Sequence, residues 1–166
     1  MTINRDMAET LNFSGHETFH CRPFWLKKGY DYLKSDKSFN AEDAVVHLGV
    51  GKNMVTAIRF WMRAFAMADD GNSLTDLANR LLDDKGWDPY LEDIGSLWLL
   101  HYHLVANGHA SSARIIFNEL RDRNPEFDAK TYSEFILSEK GTFTDKTVEK
   151  DFGVFLRNYP AKAEGE

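Results

Sequence analysis

Residues Ala41 to Trp61 read AEDAVVHLGVGKNMVTAIRFW, and the recurrence of their apolar positions settles the architecture of the first half of the chain. Ala44, Leu48, Val50, Val55 and Ile58 fall where two short helices touch across a tight turn in a helix-turn-helix template of about twenty residues. Gly49 sits at the turn, where a residue free to adopt positive φ is wanted. Such a template buries a small residue in its first helix at the position of Val45. Here Ala44 comes one place earlier, so a slightly shifted turn is expected.

The second helix of this pair, expected over Lys52 to Met67, separates its chemistry by face. At about 100° per residue, Lys52, Thr56, Arg59 and Arg63 share a narrow stripe, while Met54, Val55, Ile58, Trp61, Met62 and Phe65 fill the other side. No acidic residue occurs from Lys52 to Met67. A helix presenting Lys52 and Asn53 at its N-terminus suits the major groove, where that end reaches base edges and flanking cations meet phosphates. Asn53 and Thr56 are the candidate base readers, and Lys52, Arg59 and Arg63 the candidate phosphate contacts. The plainer alternative is an amphipathic helix with a solvated basic face.

Outward from this segment the apolar spacing is helical almost throughout. Further helices are expected at Phe24–Lys34, Ala41–Leu48, Leu74–Asp83, Leu91–Ala106, Ser112–Arg123, Ala129–Ser138 and Thr144–Tyr159. Asn40, Ser73, Asp128 and Thr144 stand where N-caps are needed. Asp69-Asp70-Gly71-Asn72 is a turn signal at which a short two-stranded wing could form. The fold class is therefore mainly α, a helix-turn-helix protein with room for a wing and little strand. Two modules are expected, residues 1–86 and 87–166, packing separately or as one body. Leu97 to Leu104, an aromatic and leucine run, reads as the central core helix.

Near the other end, TYSEFILSEKGTFTDKTVEKDFGVFLRNY repeats the layout of short helix, turn and longer helix. Phe135, Ile136, Val148, Phe152, Phe155 and Leu156 would form its core, and Lys146, Lys150 and Arg157 could face phosphate. Asp145, Glu149 and Asp151 sit among those cations and cancel them. A purely structural helical pair is the competing reading.

The chain has 166 residues, 43% of them hydrophobic, and a net charge of −6. That balance supports a globular core and argues against a protein that coats nucleic acid with its whole surface, so phosphate contact must come from a local basic patch. The lone Cys21 excludes an internal disulfide and points to a reducing, cytoplasmic setting. MTINRDMAETLNF carries charges where a secretory signal would be apolar. The run Leu97–Ala106 is too short for a membrane span.

Enzymatic motifs are weak. His16-Glu17-Thr18-Phe19-His20 matches HExxH, in which two histidines one helical turn apart hold zinc and the glutamate is the base. Gly15 and Pro23 disfavour the regular helix this needs, and a loop with local hydrogen bonds from His16 and Thr18 is expected instead. Gly49-Val50-Gly51-Lys52 resembles the end of a phosphate-binding loop, but Val46 replaces its first glycine and Asn53 its Ser or Thr. His101 and His103 point to different helix faces. Cys21 has no patterned His or Asp partner. No cofactor or metal is expected.

Four stretches together resemble a family, the domain of unknown function numbered four thousand and seven. They are Phe13-Ser14-Gly15-His16-Glu17-Thr18-Phe19 with Arg22 and Trp25-Leu26-Lys27-Lys28; Leu48-Gly49-Val50-Gly51-Lys52-Asn53-Met54-Val55 with Ile58 and Trp61; Asp88-Pro89-Tyr90-Leu91-Glu92-Asp93 with Leu97-Trp98-Leu99-Leu100-His101; and Asp151 to Tyr159. The family pattern keeps the first histidine and does not require His20. Its members continue well beyond residue 166, which leaves both a short homologue and a truncated form open. The resemblance implies a bacterial setting beside sulfur-transfer enzymes, in DNA phosphorothioation and phage-defence loci. It implies a context and no reaction.

The expectation is a non-enzymatic DNA-binding accessory or regulatory protein of such a system. Its expected partners are double-stranded DNA, other proteins of the system and a second copy of the chain, since two-fold DNA sites often call for a homodimer. The alternatives are a protein-interaction adaptor and, more distantly, a metal-dependent hydrolase using His16, Glu17 and His20.

Overall fold

Helical spacing over Lys52–Ala64 produces the element around which the others are arranged. The computed structural model describes residues 11–140 and 143–159. Its helices are α1 (Trp25–Lys34), α2 (Ala44–Leu48), α3 (Lys52–Ala64), α4 (Asp76–Leu82), α5 (Ile94–Asn107), α6 (Ser111–Ile115), α7 (Arg121–Arg123), α8 (Ala129–Glu139) and α9 (Asp145–Asn158), with a π-helical turn at Ile116–Leu120 between α6 and α7. The described residues contain no sheet, only an isolated antiparallel bridge between Ala68 and Leu74. Among the described residues, no helix is long and apolar enough to cross a membrane.

Helix α3 buries Val55, Ala57, Ile58, Phe60, Trp61, Met62 and Ala64, which leaves its basic stripe as the outer face. Helix α1 packs on it through Gly29, where a Cβ would stand 2.8 Å from Met62 Sδ. The missing side chain permits the close approach. Helix α2 ends at Gly49, whose φ of 62° is the left-handed conformation expected there. Buried side chains from both halves of the chain, from Trp25 to Phe155, belong to one hydrophobic cluster.

Three expectations about local structure change. Helix α2 begins at Ala44 rather than Ala41, because residues 41–43 close a turn in which Ala44 N–H donates to Ala41 O at 3.1 Å. Asn40 is therefore no cap. Helix α4 is capped by Thr75 rather than Ser73: the Thr75 hydroxyl accepts from Ala78 N–H at 3.1 Å, while Ser73 N–H is taken by Asp69 Oδ1 at 2.8 Å. The caps at Asp128 and Thr144 stand as expected, accepting from Thr131 and Thr147 N–H. The Ser112–Arg123 helix contains the π-helical turn, which adds a residue to one turn. It buries Ile116 and Leu120 on the core side.

The largest departure concerns α5. Only Ser96, Leu100 and Leu104 of this helix are buried, so it is not the central core helix. Ile94 and Trp98 are each 67% exposed, Tyr102 is 64% exposed, and Leu97 is also exposed. An apolar run that is hydrophobic all round gives no clue which side faces in. Leu156, expected in the α8–α9 core, is likewise exposed.

Candidate nucleic-acid interface

The basic stripe starts where α3 starts. Gly51 holds the N-cap position in an extended conformation with no side-chain cap, and the first turn has no acidic residue. The first amides and the positive end of the helix dipole therefore face outward beside Lys52 and Asn53, an arrangement that favours an anion. Lys52, Asn53 and Thr56 are exposed. Lys52 makes no ion pair among the described residues. A groove of about 500 Å³ runs between α2 and α3, lined by Asn40, Glu42, Val45, Lys52, Thr56 and Arg59 among others.

Arg59 and Arg63 are half-buried and held in place. Arg59 Nε donates to Asn72 Oδ1 at 3.0 Å and its Nη1 to Asn40 Oδ1 at 2.9 Å. Arg63 Nη2 donates to the same Asn72 oxygen at 3.1 Å and to the main-chain carbonyl of Asp70. Burial, and then repulsion by Arg63, push the Arg59 pKa below its ordinary value. Several other cations meet carboxylates: Lys27 with Asp31 and Asp84, Lys34 with Asp83, Arg80 with Asp76, Lys140 with Glu119. Among the described residues, Lys52, Arg59 and Arg63 have no carboxylate partner. Asp69 and Asp70 stand exposed on the turn beyond the C-terminal end of the stripe.

The second set of cations is divided. Lys146 and Lys150 are exposed on α9, while Arg157 donates to Thr18 O at 2.9 Å and ties α9 to the N-terminal loop. Asp151 does not offset these cations. It is only 3% exposed and lies on the opposite, buried side of α9.

Asp151 instead organises the segment that matched HExxH. Residues 15–18 form a turn, with Glu17 at φ 58°, and no regular helix. His16 Nε2–H donates to Asp151 Oδ1 at 2.6 Å, and Ser14 N–H donates to the same oxygen at 2.9 Å. Ser112 Oγ donates to Asp151 Oδ2 and also meets Tyr132 OH. The His16 ring stacks on Trp61 with centroids 5.7 Å apart. The hydrogen bonding of His16 is thus long-range, where a local one was expected. No group of three or more His, Cys, Asp or Glu among the described residues could hold a metal ion.

The partly buried Cys21 thiol is pushed up to about 12 by desolvation, which leaves little thiolate for nucleophilic work. His101 accepts from Tyr159 OH at 2.7 Å through Nδ1, and burial lowers its pKa. Both line a groove of about 570 Å³ with Leu26, Phe65, Tyr90, Leu97 and Leu100. Sequence reasoning missed Asn40 and Asn72 as partners of the arginines, and Ser112, Tyr132 and Asp151 as partners of His16. No local signal links positions so far apart.

Among the described residues, these features define a mainly helical protein with a partly exposed basic helix face and an exposed apolar one. The family model described as Protein of unknown function (DUF4007) matches residues 13–166, and the chain belongs to that family. It is similar to two solved structures. One, titled "Magnesium ion-bound SspB crystal structure", is 32% identical with a TM-score of 0.68, over 90% of this chain and 50% of that one. The other, titled "SspB crystal structure", is 35% identical with a TM-score of 0.69, over 93% and 52% respectively. The chain thus spans about half the length of these relatives. No curated protein matches it.

Proposed function

We propose that this chain is a DNA-binding accessory protein of a bacterial DNA sulfur-modification or phage-defence system, contacting duplex DNA through α3. The observation that carries this reading is the charge on one helix face: among the described residues Lys52 makes no ion pair, and Arg59 and Arg63 are held by amide and carbonyl oxygens. In an acidic protein several of whose other lysines meet carboxylates, such a face is suited to a polyanion. Helices α2 and α3, joined at Gly49, act as a helix-turn-helix, with Asn53 and Thr56 toward base edges. The Ala68–Leu74 bridge and its turn serve as a rudimentary wing. Lys146 and Lys150 supply secondary phosphate contacts, with a second copy of the chain completing a two-fold site. The role is binding, and no reaction is assigned to the chain.

The modification context is supported by membership of the DUF4007 family and by likeness to the two SspB structures. Gel-shift titrations on plain and phosphorothioated duplexes of the same sequence test it. Binding with tighter retention of the sulfur-bearing duplex supports the proposal, and absence of binding to either rejects it.

The exposed face of α5 favours a second reading, an adaptor that docks a protein of the same system. Its fourteen residues include no Asp, Glu, Lys or Arg, and its exposed positions recur at helical spacing. Leu97→Asp would abolish such docking while leaving DNA binding intact, whereas Arg59→Ala would do the reverse.

A further inference from the structure

Two arginines one turn apart on a helix repel each other, and proteins ordinarily relieve this with a nearby carboxylate. Here the relief comes from amides. The Asn72 side-chain oxygen accepts from both guanidinium groups, and Asn40 accepts from the outer edge of Arg59. Asn72 reaches in from the turn after α3 and Asn40 from the loop before α2, so the stripe is clamped from two sides. Asn72 has φ 66°, a conformation that Asn and Asp both tolerate. The backbone alone would thus have accepted a carboxylate at this position.

We infer that Asn40 and Asn72 are positioning residues of the DNA interface: they fix Arg59 and Arg63 in the orientation that meets a phosphodiester backbone while leaving the charge of both uncompensated. This rests on the α3 reading above. A neutral acceptor orders a long side chain before binding, which lowers the entropy lost on contact. A carboxylate would order it equally well but would compete with phosphate.

Fluorescence anisotropy of the full chain on a labelled plain duplex, titrated at several salt concentrations, tests this with Asn72→Asp, Asn40→Asp, Asn72→Gly and the triple variant Lys52→Ala/Arg59→Ala/Arg63→Ala. Asn72→Asp should weaken binding about tenfold and flatten the salt dependence by about one phosphate contact, with an unchanged thermal midpoint. Asn40→Asp, at an exposed site, should do the same to a smaller degree. Asn72→Gly keeps the backbone conformation and adds no charge, so it should weaken binding only a few-fold with the salt slope retained. If both Asp variants bind with the parent's affinity and slope while the triple variant loses binding, the inference is overturned and the α3 reading stands. If the triple variant also binds as the parent does, both fall.

Discussion

Asp151 is the residue through which the N-terminal loop is attached to the rest of the molecule. Its buried carboxylate accepts from His16, Ser14 and Ser112, donors drawn from the loop and from α6. Removing it strands those donors in the interior, which costs far more than losing a surface contact. Asp151→Ala should lower unfolding stability by roughly 3–5 kcal/mol, measured by urea denaturation, and a change below about 1 kcal/mol would show that the network is dispensable. Nothing local marks Asp151 in the sequence: it stands between Lys150 and Phe152, among other charges, and only the register of α9 turns it inward. Cys21 gives a second test. With its thiol near 12, it should react with a disulfide reagent at pH 8 far more slowly in the native protein than in urea.

At the scale of elements, periodicity carried most of the information. The helices lie within a few residues of where apolar spacing puts them, and Gly49 terminates α2 in the conformation its position demands. Gly49→Ala should therefore cost about 1–2 kcal/mol through backbone strain alone, since nothing surrounds the site closely enough to clash. A thermal midpoint equal to the parent's would contradict the strain. Caps were less legible, because Asn40, Ser73 and Thr75 are all chemically able to cap and the surrounding turns decide which does. Orientation failed altogether for α5, whose apolar residues run round the helix. Leu97→Asp, on its outer side, should leave the thermal midpoint nearly unchanged, whereas Leu104→Ala, on its buried side, should cost roughly 2–5 kcal/mol.

For the whole molecule, charge and pH are the integrating quantities. Burial lowers the pKa of His20, His101 and His109, so the unfolded chain takes up protons before the folded one does. Their contribution is fully present above about pH 6.5 and is lost as pH falls below it. Hydrogen bonds from Thr131 hold Asp128 below the usual carboxylate range, which adds a further loss below about pH 4. Thermal midpoints should be highest near neutrality and decline across both ranges, and a midpoint that rose between pH 7 and 5 would contradict the assignment. That the chain is mainly helical was legible from the sequence, as was the stripe of Lys52, Arg59 and Arg63. The amides that hold the arginines were not, since Asn72 lies thirteen residues from Arg59 along the chain. The central claim is that this stripe binds duplex DNA, and the salt dependence of affinity tests it most directly. A parent protein whose log affinity falls steeply with log salt, set against a Lys52→Ala/Arg59→Ala/Arg63→Ala variant that is weak and nearly salt-insensitive, is the result expected. Equal affinities and equal slopes for the two proteins would contradict it.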